Sequence, residues 1–160
     1  MNRVAAVLAA VLLLASGSGV TVWLLTRDRP QQLPEISAFS RGHLTRVGPY
    51  RYCDVLNLDN CRTTGTQGEL PVNSRDPVQL SVPSAIARAP WRLLQVYRDP
   101  ADTTMTIFRP DSRLAVTIPT VGPRGGQLTG VVVQLLTLVL DSGELQAVPH
   151  AEWSVRTDWP

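Results

Sequence analysis

The chain has no lysine. All 15 of its positive charges are arginines, spread singly from Arg3 to Arg156, and the net charge is only +2 over 160 residues. A nucleic-acid surface needs cationic side chains gathered on one face, and no such cluster exists, so nucleic acid is excluded as a partner. Histidine is nearly as scarce: His43 and His150 are the whole supply. Nucleophilic catalysis pairs a serine or cysteine with a basic histidine, so those two residues bound that chemistry. His43 follows Gly42 and reads as a turn residue; His150 follows Pro149 and reads as an exposed or capping loop residue. The nucleophile elbow G-x-S-x-G does not occur in the globular part. The Ser-Gly-Ser-Gly stretch, Ser16 to Gly19, belongs to an apolar run near the N-terminus.

There are two cysteines, Cys53 and Cys61. Zinc sites take four ligands in close pairs, and a redox pair is a C-x-x-C motif; neither pattern fits. After an export segment the pair reads most simply as one structural disulfide, with two buried free thiols as the alternative. Closing so short a loop is worth roughly 2.5 kcal/mol. The intervening Asp54, Asn57, Asp59 and Asn60 carry oxygens that suit Ca²⁺, but their spacing is not that of an EF-hand. Asx residues of this kind form turns.

The first quarter of the chain is not globular in character. Val4 to Thr26 carries no charge, and as a helix it would reach about 34 Å, long enough for a bilayer core. A cleavable signal peptide would end near Ala15-Ser16-Gly17. An uncleaved signal anchor accounts better for Val20, Val22, Trp23, Leu24 and Leu25, which return to apolar character beyond the glycines. With no cysteine beside the small residues, a lipoprotein anchor is excluded. Arginines are denser after the segment than before it, which by a simple positive-inside count would hold the domain in the cytoplasm. The cysteine pair argues for the opposite side. The expected organisation is therefore a signal anchor or signal peptide over 1–26, a polar linker over 27–34, and an extracytoplasmic β-domain over 35–160. The expected location is the cell membrane, single-pass, or secreted if the segment is cleaved.

Beyond Pro34 the patterning is of period two almost throughout. Val78, Leu80 and Val82 share one face. Trp91, Leu93, Gln95 and Tyr97 share another, and so do Leu114, Val116 and Ile118. Val131 to Leu140 is the strongest apolar run of the domain. Its β-branched content and the following Asp141-Ser142-Gly143 predict a long central strand entering a hairpin. Trp153, Val155 and Thr157 alternate near the end. Ser84 to Ala89, set between prolines, predicts a single helical turn or a kink. About seven strands at these intervals predict an Ig-like antiparallel β-sandwich. Trp91 and Trp153 are its expected core aromatics, each needing a partner for its indole N–H.

Stretches such as "RVGPYRYC", "PVQLSVPSAIARAPWRLLQVY", "RLAVTIPTV", "GVVVQLLTLVLDSGE" and "HAEWSVR" resemble a family of small exported actinobacterial proteins, best known from mycobacteria and of unknown function. The resemblance runs from Ile36 to Trp159. It implies an exported β-domain and carries no catalytic residue, cofactor or metal.

Other chemistry is weakly signalled. Glu144 and Glu152 are a carboxylate pair of the kind that flanks a glycosidic bond. "GPRGGQ", Gly122 to Gln127, is glycine-rich but lacks the P-loop pattern and leads into a strand, so a β-turn is expected. The reading that follows is a non-enzymatic binding module of the cell envelope, held at the membrane by its N-terminal helix and contacting a protein partner. The alternatives are an accessory subunit of a membrane complex, or a small-ligand carrier or hydrolase.

Overall fold

The computed structural model describes residues 33–160. The expected anchor over 1–26, and most of the linker, lie outside the described residues. Among those described, no helix is long and apolar enough to cross a membrane.

Eleven strands follow one another: β1 (Ile36–Ser40), β2 (His43–Val47), β3 (Arg51–Asp54), β4 (Asn57–Thr63), β5 (Gly68–Pro71), β6 (Val78–Ser81), β7 (Trp91–Tyr97), β8 (Thr104–Phe108), β9 (Ala115–Ile118), β10 (Leu128–Asp141) and β11 (Glu144–Asp158). One four-residue helix, α1 (Ser84–Ala87), precedes β7 and fills the Pro-bounded stretch where a helical turn was expected. The strands form two sheets. The smaller has the order β2-β1-β6-β9; the larger runs β4-β3-β11-β10-β7-β8, with β5 also paired to β11.

The all-β expectation holds in this form: two largely antiparallel sheets around one core. The strand count is eleven instead of about seven, and β5 lies parallel to β11. The extra strands carry little apolar alternation. In β4 every residue except Leu58 is exposed, so it carries no apolar alternation to read.

Alternation places Ile36, Ala38, Val78, Leu80 and Ile118 of the small sheet against Trp91, Leu93, Val131, Val133, Trp153 and Val155 of the large one. Trp91 and Trp153 are both fully buried, as expected. Trp153 donates its indole N–H to the Pro34 carbonyl at 2.7 Å. Trp91 stacks on Phe108 with ring centroids 4.2 Å apart, and its indole N–H finds no acceptor among the described residues.

Two hairpins share one turn design. Ser142 and Gly143 at the end of β10 have φ of 50° and 90°, and Arg41 and Gly42 between β1 and β2 have 52° and 80°. Paired positive φ values are those of the type I′ turn, whose twist matches the flanking strands.

Candidate functional site

β10 and β11 are 14 and 15 residues long, more than twice the usual strand. Only part of each lies inside a sheet. On one side β7 follows β10 as far as the pair Leu135 and Trp91, and the Leu136 N–H then donates to the Pro90 carbonyl at 3.1 Å. On the other side β3 meets β11 only at Ala151 and Glu152. Beyond those points the hairpin continues alone to its Asp141–Glu144 turn, with no strand on either edge among the described residues. It is a two-stranded β-arm.

A bulge marks the base of the arm. Leu135 pairs with Ala151 and Leu136 with Pro149, so His150 is the extra residue. Bulges bend a strand and re-aim its side chains, and Pro149, which has no N–H, is tolerated at such a site. His150 is buried rather than exposed. Its Nδ1 lies 3.3 Å from the Cys53 carbonyl, and its ring meets Tyr52 edge-on at 5.8 Å.

Past the bulge, register decides which side chains share a face. Leu136 lies opposite Pro149, Leu138 opposite Ala147, and Leu140 opposite Leu145. Directly opposed residues point to the same side, so the four leucines form one apolar face. Leu136 is buried at its base, whereas Leu138, Leu140 and Leu145 are 64%, 68% and 69% exposed. A groove of about 540 Å³ opens where the arm leaves the sheet, lined by Pro90, Ile107, Leu136, Thr137, Leu138 and Ala147. The face continues over β8, where Met105 and Ile107 are exposed. Soluble proteins scatter single exposed leucines freely; a contiguous set marks a contact surface.

A polar row crosses the same side of the sheet just below the arm. Arg92 donates through Nε to Gln134 Oε1 at 2.8 Å, and Gln134 donates through Nε2 to Glu152 Oε2 at 2.7 Å. These residues are cross-strand neighbours, with Arg51 next in register to Glu152. The row ties β7, β10 and β11 together where the arm begins.

Cys53 and Cys61 form a disulfide between directly paired residues of β3 and β4. It clamps one hairpin and does not link the sheets. The Asx residues of that hairpin make turns: Asp54 Oδ1 accepts from the Leu56 N–H and Asn57 Oδ1 from the Asp59 N–H. At its tip Leu56 is 97% exposed. Because β3 is antiparallel to β11, this tip points the same way as the arm.

The remaining sequence candidates are not brought together. His43 sits on β2 in the small sheet and His150 on β11 in the large one. Glu144 is in the arm's turn, and Glu152 lies eight residues further along the same strand, roughly 26 Å away at 3.3 Å per residue. Carboxylates flanking a glycosidic bond stand about 5–9.5 Å apart. Among the described residues, no three His, Cys, Asp or Glu side chains converge as metal ligands would.

The glycine-rich loop does hold an anion, but the anion is internal. The buried Asp102 carboxylate accepts the N–H of Arg124 at 3.0 Å and of Gly126 at 2.9 Å. Gly122 and Gly126 are required for room: a Cβ at either would lie 2.5 Å or 2.7 Å from Asp102. The cradle a phosphate would use is filled by the protein's own side chain.

A two-sheet all-β domain bearing a leucine-faced β-arm is thus the class of protein in hand. The chain belongs to the protein family of unknown function DUF2771, whose model matches residues 29–158. It is 69% identical over 147 residues to two uncharacterised proteins, Rv0875c of Mycobacterium tuberculosis strain H37Rv and Mb0899c of Mycobacterium bovis, covering 91% of this chain and 91% of each relative. The resemblance to a mycobacterial family of unknown function agrees with these matches. No solved structure matches the chain.

Proposed function

We propose that this protein is a non-enzymatic binding module of the cell envelope, held at the membrane by its N-terminal apolar segment, with the β-domain outside the cytoplasm. The sandwich serves as an Ig-like scaffold, and its edge strands and hairpins make the contacts. The observation that carries the reading is the leucine face of the arm. Covering the exposed parts of Leu138, Leu140 and Leu145 is worth about 3–6 kcal/mol from area alone, and nothing in the domain covers them. The uncharged run Val4 to Thr26 and the Cys53–Cys61 disulfide support the compartment.

Charge selects a protein partner over a bare lipid surface. Glu144 ends the arm, and Asp54 and Asp59 flank the exposed Leu56. Carrying carboxylates into a bilayer is costly, and anionic headgroups would repel them. A protein surface with an apolar centre and a basic rim suits the same features.

The test is a full-length chain with Leu138→Arg and Leu145→Arg, compared with wild type for proteins recovered from intact cells. Loss of a partner that wild type retains is expected. Unchanged recovery would sink the assignment of the face. Separately, protease protection of the domain inside intact spheroplasts would sink the compartment. Replacing residues 1–26 with a cleavable signal peptide should leave partner recovery intact; its loss would favour an accessory subunit that binds through its helix.

A further inference from the structure

We propose that the open edge of β10 in the arm pairs antiparallel with the same edge of a second copy of this chain, about a two-fold axis at Val139. This rests on the arm being a contact surface, but it concerns the edge of the arm and not its leucine face.

The direction of the backbone follows from one bond. The Leu136 N–H points to the β7 side, where it meets the Pro90 carbonyl. Peptide groups alternate along a strand, so Leu138 and Leu140 direct their N–H and C=O groups to that same side, where β7 has ended. The opposite groups, of Thr137 and Val139, face β11, with which those residues pair at Val148 and Gln146. Leu138 and Leu140 therefore offer a row of donors and acceptors with no strand beside it among the described residues.

This edge lacks the usual protection. Natural edges are blunted by charge, proline or a bulge. β10 contains no proline, its one charged residue is the last, Asp141 at the turn, and the bulge lies on β11. A two-stranded ribbon standing alone is marginal in water, which favours a further strand.

Self-complementarity identifies that strand as a second copy. With the axis at Val139, Leu138 of one copy opposes Leu140 of the other. Each such pair exchanges both of its backbone hydrogen bonds. Both leucines already lie on the apolar face, so the two faces merge into one continuous surface, while at each end of the overlap Thr137 comes opposite Asp141 of the other copy. Pro90, seated against Leu136, limits the overlap to this short register. The second copy's turn, which carries Glu144, then arrives next to Pro90, two residues along the chain from the exposed Arg88. The two-fold repeats that juxtaposition on the other side. A closed, isologous contact of this kind is the commonest form of self-association.

The test uses the full-length chain in unfractionated lysate with an added oxidant. Val139→Cys places its sulfur on the axis, where a non-hydrogen-bonded pair brings Cα atoms about 4.5 Å apart, within disulfide range. The expected result is a disulfide-linked homodimer. Leu140→Pro removes an N–H that points away from β11, so the arm keeps its own ladder; added to Val139→Cys it should reduce the dimer at least tenfold. Thr104→Cys, on the exposed edge strand β8, should give little dimer. Absence of the Val139→Cys homodimer, or equal cross-linking through Thr104→Cys, overturns the proposal. Cross-linking of Val139→Cys to a different protein overturns self-pairing while leaving the binding-module reading in place, which is tested separately by Leu145→Arg on the other strand.

Discussion

Asp102 offers a sharp test of how this domain is held together, because one carboxylate organises an entire loop. The buried side chain accepts backbone N–H groups from Arg124 and Gly126, and Gly122 and Gly126 leave the space it occupies. A hydrogen bond to a charged acceptor contributes about 1.5–3 kcal/mol. Asp102→Asn keeps one oxygen and turns an amide donor toward another donor, so one bond is lost and the other weakened. The expected cost is about 2–3 kcal/mol. Asp102→Ala orphans both N–H groups but relieves the desolvation of a charge, and about 3 kcal/mol is expected. Urea unfolding followed by tryptophan fluorescence reads these as shifts in midpoint at constant slope. A double-mutant cycle adds a geometric control. Gly122→Ala alone drives a methyl to 2.5 Å from the Asp102 carboxyl carbon, an overpacking that costs about 1–3 kcal/mol. In the Asp102→Ala background the obstruction is gone, so the pair should cost clearly less than the sum. Additive costs, or an Asp102→Asn cost under about 0.5 kcal/mol, would refute the role given to this carboxylate.

Three further outcomes follow from the same geometry. Trp153→Phe loses the bond to Pro34 as well as volume, whereas Trp91→Phe removes an indole N–H with no acceptor among the described residues. Trp153→Phe should therefore be the more destabilising by about 1 kcal/mol in urea unfolding, and equal costs would contradict this. Replacing Cys53 and Cys61 together by alanine should cost no more than about 2.5 kcal/mol, because the paired strands already hold the hairpin; loss of cooperative folding would show the clamp to be essential. Burial, and then the nearby Asp102 charge, raise the Tyr97 phenol above its ordinary value of 10.0. The unfolded chain thus releases this proton first as pH rises, so the phenol's contribution is complete below about pH 10 and is lost through the alkaline range above it. Stability measured across that range should fall less steeply in Tyr97→Phe, and an identical slope would exclude the effect.

Period-two patterning made the sheets legible in the sequence. Ile36, Val78, Leu93, Val131 and Trp153 all face inward where alternation puts them. It could not show β2 and β4, whose side chains are nearly all polar or exposed, nor β5, where four residues carry one apolar inward side chain, Leu70. The cysteines were legible as a local clamp because their spacing leaves room for little else. The arm was hidden for a different reason. Val131 to Leu140 alternates in the same way whether it lies in a core or outside one, and only the register shows that β7's pairing with β10 stops at Trp91 and β3's pairing with β11 at Tyr52. Two signals pointed to it: a strand far longer than its neighbours, and a leucine at every second position from Leu136 to Leu140, matched across the turn by Leu145. The polar row of Arg92, Gln134 and Glu152 joins residues from three distant segments, and only cross-strand register aligns them. His150 reads as a loop residue in the sequence because Pro149 precedes it, whereas a proline at a bulge leaves the strand intact.

The chain's lack of lysine leaves amine-directed cross-linking almost nothing to react with, so the central claim is best tested by photo-cross-linking at chosen positions. A benzophenone side chain in place of Leu145, on the leucine face, should capture a protein partner in intact cells. The same group in place of Gln146, on the opposite face of the arm, or of Arg124, in the loop around Asp102, should capture it weakly or not at all. Strong capture at Leu145 alone is the result the account predicts. Equal capture at all three positions, or capture from Arg124 but not from Leu145, would contradict it.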